Sequence, residues 1–392
     1  MHDVLLLGAG ASYGARKGLT DPPPPLGRGL AQYLLQWLDA NDPDRPGVEW
    51  WKTLEHTADP TIVGAEPWRN KKLLAEVRTE LQAVVAKDRE TDAPHFEALM
   101  DRWVKEPLRR GGYRDHLEFT QRLLSYSMNL GQRCAFIERP DRFDELLGSF
   151  KPSVIVTVNY DLLVEQALAR RSMRHCHPGI PGPAAGDTFR ELVSEGTGPI
   201  VPMFKLHGSV DWLPVRTGAA GVDEKIVQAH ADANPMTPRT NAVDPADRKG
   251  AIISYDSKHT FEPEGSINLR FELDRWDYVP VVGVYGQGKP LLRNLQHVRD
   301  HREACSKLLA ESGVGSVLAV GIRPVSKDDD PTVYGLTRWL GKNAVNKLYA
   351  SPTVEHCKEF EAMGFRALPV GLGEYLERQA AAPSLKGEQG GG

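Results

Sequence analysis

The chain has 392 residues, 41% hydrophobic and 26% charged, with a net charge of −4. This is the balance of an ordinary globular protein with enough chain for a core that needs no metal or disulfide staple, and its acidity argues against a dedicated nucleic-acid binder. Four well-separated cysteines, Cys134, Cys176, Cys305 and Cys357, form no Cys-x-x-Cys pair and predict reduced thiols. No apolar run is long enough to span a bilayer, and the N-terminal one lacks the basic leader of a signal peptide, so a cytoplasmic protein with no membrane contact is expected.

The run Val4 to Leu7 reads as a buried strand that turns through Gly8, Ala9, Gly10, Ala11 and Ser12 into a helix. Glycines there let a backbone approach phosphates, and the first helical turn offers unpaired N–H groups. The spacing Gly8-x-Gly10-x-x-x-Gly14 is one residue off the dehydrogenase fingerprint. Ser12 suits a phosphate oxygen or its own helix cap, and Arg16 reads as a solvated side chain more readily than a phosphate ligand. Thr20 to Pro25 is a proline-rich loop and a candidate lip of the pocket. Leu26, Leu30, Tyr33, Leu34, Trp37 and Leu38 then keep helical spacing. A dehydrogenase would carry its second strand here, ending in a ribose-binding acid, so that reading loses weight. Residues 41–149 are expected to form a helical insertion. Its apolar stripes run through Leu73, Val77, Leu81 and Val84, then Phe96, Leu99, Met100 and Trp103, then Leu117 to Leu130.

Val154 to Thr157 is a second apolar strand, leading through Asn159 and Asp161 into a helix over 162–171. Asn159 suits a ligand contact, although asparagine also ends strands because it tolerates turns. Asp161 suits a helix N-cap before Leu162, with pocket polarity as the alternative. His175 and His177 flank Cys176, but neighbouring side chains on a loop rarely face one ion, so no metal is expected. Ile200 to Leu206 is strand-like and leads into His207, with Lys205 expected to face the other side of the strand. His207 suits a general base near neutral pH, or a structural cap on the Gly208-Ser209 turn. Trp212 is expected to pack beneath this loop.

Residues 214–275 are polar and turn-rich and read as a long loop or lid. Strand character returns over 277–285, a helix over 291–312, and a buried strand from Ser316 to Gly321. Acidic residues Asp328, Asp329 and Asp330 precede a helix over 331–342, and short strands follow at 346–350 and 367–370. The tail over 381–392 is expected to be disordered. No internal repeat is present.

The order Gly-Ala-Gly-x-Ser (8–12), Thr-x-Asn-Tyr-Asp (157–161) and Leu-His-Gly-Ser (206–209) resembles the Sir2 superfamily, in particular the bacterial SIR2-like NAD-cleaving proteins of antiphage defence. The resemblance implies an α/β, Rossmann-like, mostly parallel sheet with the helical insertion interrupting a domain built from 1–40 and 150–380. It implies NAD+ hydrolase activity with NAD+ as substrate and no metal, Asn159 and His207 as catalytic residues, and Gly8, Ala9, Gly10, Ala11, Ser12, Asn159, Asp161 and Gly321 around the dinucleotide. It further implies a stand-alone subunit that forms a homo-oligomer or pairs with a separately encoded partner such as a HerA-type ATPase, with no direct nucleic-acid contact. Two departures stand out. The four-cysteine zinc module of deacetylase-type sirtuins is missing, and Ile322-Arg323-Pro324 stand where the relatives carry tyrosine and serine, leaving the match to their following acidic residue open. A deacylase, an ADP-ribosyltransferase and a non-enzymatic NAD- or ADP-ribose-binding assembly subunit remain as alternatives, with a nuclease the most remote.

Overall fold

A computed structural model describes residues 1–16, 29–40, 71–90, 95–105, 140–178, 200–209, 212–214, 252–254 and 296–381. The proline-rich loop at 20–25, the stripe at 117–130, the strand expected at 277–285 and the tail beyond 381 lie outside these residues, as does the side chain of Trp212.

The strands are β1 (His2–Leu7), β2 (Val154–Thr157), β3 (Arg174–Cys176), β4 (Ile200–Lys205), β5 (Trp212–Pro214), β6 (Ile252–Ser254), β7 (Val314–Val320), β8 (Asn346–Ala350) and β9 (Arg366–Leu368). The helices, numbered in chain order, are α1 (Ala9–Arg16), α2 (Leu30–Ala40), α3 (Lys71–Glu90), α4 (His95–Lys105), α5 (Arg142–Phe150), α6 (Leu163–Arg170), α7 (Gln296–Ser312), α8 (Pro331–Asn343), α9 (Val354–Ala362) and α10 (Leu372–Ala381).

Seven strands form one sheet in the order β3-β4-β2-β1-β7-β8-β9, and every pair is parallel. Parallel sheets need both faces covered, and the central strands are accordingly apolar at every position from Val4 to Leu7 and Val154 to Val156. Side chains alternate between the faces. Leu5, Leu7, Ile155 and Met203 pack with α1, α5, α6 and α10 on one side. Val4, Leu6, Val156 and Phe204 pack with α7, α8 and α9 on the other. The result is the α/β Rossmann-like layering expected, with helices α2 to α5 between β1 and β2. In α3 the buried positions are Leu73, Val77, Leu81 and Val84, and in α4 they include Phe96, Leu99 and Met100, as the helical spacing predicts. Helix α5 is fastened by a capping box in which Asp141 and Asp144 satisfy each other's backbone N–H groups.

Three elements differ from expectation. Residues 174–176 are an edge strand and not a loop. Ile252–Ser254, within the presumed lid, pairs antiparallel with Trp212–Pro214. Helix α10 packs its Leu372, Tyr375 and Leu376 into the core, although its short stripe was not anticipated.

Because all seven strands run the same way, their C-terminal ends share one edge. From β1 the chain forms β2, then the edge strand β3, places β4 between those two, and later crosses to the far side of β1 to form β7. Ligands of open α/β sheets bind at such a reversal.

Candidate functional site

The opening turn and the end of β7 are joined. Gly8 N–H donates to the Val320 carbonyl and Gly10 N–H to the Gly321 carbonyl, each at 3.0 Å. A Cβ on Gly8 would lie 2.4 Å from Ile322 Cα, and one on Gly321, whose φ is +61°, would lie 2.2 Å from Ala11 N. The glycines at positions 8 and 321 are therefore required by the close approach of these two backbones, whatever ligand the turn also serves.

Asn159 is knitted into the same turn. Its Nδ2 donates to the Gly8 carbonyl at 3.0 Å and to Ser12 Oγ at 2.8 Å. Its N–H donates to Thr157 Oγ1 at 3.0 Å, and that hydroxyl donates in turn to the Leu7 carbonyl at 3.3 Å. The residue is 6% exposed, and its Oδ1 is buried without a hydrogen-bond partner among the described residues. Both amide hydrogens are thus committed to the opening turn and α1, while a strong acceptor remains unsatisfied.

Asp161 caps α6, accepting from Leu163 N–H at 3.1 Å, as the sequence favoured. Its backbone carbonyl accepts from Lys205 Nζ at 2.6 Å.

His207 follows β4. The β2–β4 ladder pairs Thr157 with Lys205 and is prolonged by a bond from Leu206 N–H to the Thr157 carbonyl at 2.9 Å. Asn159 and His207 each stand two residues beyond that last pair. His207 is 1% exposed, and its Nε2 lies 2.7 Å from Asp330 Oδ2. The other carboxylate oxygen of Asp330 caps α8, accepting from the N–H groups of Thr332 at 3.2 Å and Val333 at 3.1 Å. A carboxylate only accepts, so it fixes the imidazole proton on Nε2 and leaves the neutral ring's lone pair on Nδ1. Asp330 is the residue that sequence reasoning left unresolved among three consecutive aspartates. Its position directly before Pro331 was the available signal, since proline favours the first helical position and aspartate the cap.

Behind this edge lies a second polar group. Lys205 Nζ is 2.5 Å from Glu165 Oε1, with both side chains buried. The Lys205 N–H donates to His301 Nε2 at 2.9 Å, and His301 Nδ1 donates to the Pro178 carbonyl at 2.5 Å. Burial lowers the His301 pKa to about 3, with the charge of His177 adding to the effect. Neither Glu165 nor His301 was singled out from the sequence.

Arg16 is not solvated. It is buried, 3.4 Å from Asp141, and Arg170 approaches the same carboxylate at 3.2 Å. Burial raises the Asp141 pKa against the opposing pull of Arg170 and Arg16. This arginine joins α1 to the start of α5. His177 Nδ1 donates to the Met203 carbonyl at 3.1 Å. Among the described residues no group of three or more histidine, cysteine or acidic side chains is arranged to hold a metal ion, and no helix is long and apolar enough to cross a membrane.

The structure therefore brings Gly8, Gly10, Ala11, Ser12, Asn159 and Gly321 together at the ends of β2, β1 and β7, with His207 at the end of the next strand. Asp161 stands at the start of α6, and Ala9 is the exposed first residue of α1. No protein-family model matches the chain, and no curated protein does.

Proposed function

We propose that the protein hydrolyses NAD+ to ADP-ribose and nicotinamide, with the dinucleotide lying across the C-terminal edge of β4, β2 and β1. The observation that carries this reading is the equivalence of Asn159 and His207, an amide and an imidazole at matching positions on neighbouring strand ends beside a helix N-terminus.

The reaction asks little of acid catalysis. Nicotinamide is cationic while attached to ribose and leaves neutral, taking the electron pair of the broken C1′–N bond. The protein must orient the bond, accommodate an oxocarbenium-like transition state, and deliver water. Asn159 adds no charge beside the developing cation, and its buried Oδ1 is an acceptor suited to a ribose hydroxyl or the attacking water. His207 takes the water proton on Nδ1, and the Asp330 carboxylate on Nε2 orients the ring and faces the positive charge it acquires. Ser12 and the first turn of α1 suit the phosphates.

The Sir2-type resemblance extends the proposal to biology. NAD+ depletion would arrest a phage-infected cell, and an activity that costly needs restraint by self-assembly or a partner such as a HerA-type ATPase.

The test is nicotinamide release by the purified protein, alone and with candidate partners. Asn159→Ala and His207→Ala are each expected to lower release at least about a hundredfold. Release at the wild-type rate from both variants would refute the assignment. Acceleration by an acyl-lysine peptide would indicate a deacylase, and labelling of protein from NAD+ a transferase.

A further inference from the structure

The Lys205–Glu165 ion pair is the most deeply buried charge pair among the described residues, and the hydrolysis reading leaves it unused. The side chains are 0% and 1% exposed. A pair so placed is poorly explained by stability, because apolar residues of similar volume often serve a fold equally well or better.

Its geometry supplies another reason. Lys205 precedes His207 by two residues on β4, and Asp161 follows Asn159 by two residues after β2. The ladder between these strands ends at the bond from Leu206 to Thr157. Beyond that bond, Lys205 Nζ donates to the Asp161 carbonyl at 2.6 Å and so ties the turn that carries Asn159 to the strand that carries His207. Glu165, on the first turn of α6, holds the ammonium at 2.5 Å. A long stem with several donors at its tip is needed to satisfy a carbonyl and a carboxylate together. On its other flank the turn is held independently, through Asn159 to Gly8 and Ser12.

We propose that Lys205, anchored by Glu165, is a positioning residue that sets the separation of Asn159 from His207. The proposal rests on the NAD+-cleavage reading. Loss of the brace leaves Asn159 bonded to the opening turn, so substrate still binds, while the amide shifts relative to the imidazole. A displacement of about 1 Å at a reacting centre costs about a hundredfold in rate.

The experiment uses the full chain and compares wild type with the double variant Lys205→Met/Glu165→Leu, which removes both charges and strands neither. Thermal midpoint, KM for NAD+ and kcat for nicotinamide release are measured. A retained midpoint, a KM within a few-fold and a kcat lowered about a hundredfold are expected. Wild-type kcat in the folded double variant overturns the brace while Asn159→Ala and His207→Ala still report on the hydrolysis reading. A wild type that releases no nicotinamide with any partner overturns both. Should the double variant fail to fold, Lys205→Met/Glu165→Gln, which removes the donor to the Asp161 carbonyl while keeping a neutral side chain of native volume at 165, is read instead. A fall in kcat at constant KM supports the brace, and an unchanged kcat overturns it.

Discussion

His207 and Asp330 are 123 residues apart in sequence and 2.7 Å apart in space. The carboxylate does two things at once, orienting an imidazole with one oxygen and capping α8 with the other. The ten residues from Gly321 to Asp330 must therefore lead from the end of β7 to the end of β4, past β1 and β2, with strands about 4.8 Å apart. The pair consequently joins the two halves of the sheet across the reversal in strand order.

The two roles of Asp330 separate in Asp330→Asn. Asparagine is as good an N-cap as aspartate, so the helix keeps its start and the stability change is expected to stay within about 1 kcal/mol. The amide no longer fixes the tautomer of His207 or balances its charge, and nicotinamide release is expected to fall by about a hundredfold or more. Asp330→Ala should add a loss of about 1 kcal/mol from the missing cap. Denaturant melts beside rate measurements on both variants decide this. Equal rates for Asp330→Asn and wild type would remove the carboxylate from the mechanism.

The glycine at the end of β7 provides a second test. Gly321 sits at φ +61°, and a Cβ there would meet Ala11 N at 2.2 Å. Gly321→Ala pays for a left-handed backbone, about 1 kcal/mol or more, and also forces the β7 end from the opening turn. A loss of at least about 2 kcal/mol is expected from the two effects together. Gly335, exposed on α8 with nothing within 4 Å of its missing Cβ, is the control. Gly335→Ala should gain up to about 1 kcal/mol from helix propensity alone. Opposite shifts in thermal midpoint for two glycine-to-alanine changes would establish that the closeness of the two turns, and not glycine content, sets the effect.

What the sequence made legible follows from locality. The central strands are continuous apolar runs, and α3 and α4 carry stripes at helical spacing, so layer and class could be read directly. Asn159 and His207 stood out because polar residues that end apolar strands of a parallel sheet share one edge. Strand β3 was hidden because three residues, Arg174, His175 and Cys176, carry no alternation long enough to detect. The partners of the site were hidden for a different reason. Glu165 is 40 residues from Lys205, and His301 is 96. No local spacing records those approaches, and they exist only once the parallel sheet has set β2 beside β4 and laid α7 against it. The opening glycines carry a second requirement that no local spacing records, since the end of β7 packs against Gly8 and Gly10 and leaves no room for a Cβ on Gly8.

His301 makes stability depend on pH, and the sign can be worked out. Its folded pKa is about 3, against 6.5 for a free imidazole, because a buried ring that accepts from the Lys205 N–H has no room for a second proton. Below about pH 6.5 the unfolded chain binds a proton here that the folded chain refuses. The unfolded state then holds more protons, and stability drops as pH falls, from full value above about 6.5 down to about 3. Each unit of difference corresponds to about 1.4 kcal/mol, so this one residue should cost about 2 kcal/mol between pH 6.5 and pH 5. His301→Gln supplies an oxygen in place of Nε2 and does not titrate. The variant is expected to be less stable than wild type at pH 7.5, where the lost fit of the ring shows, yet to have the shallower decline toward pH 5. Denaturant unfolding at both values reads the difference, and parallel declines in the two proteins would show that the lost stability arises at other groups.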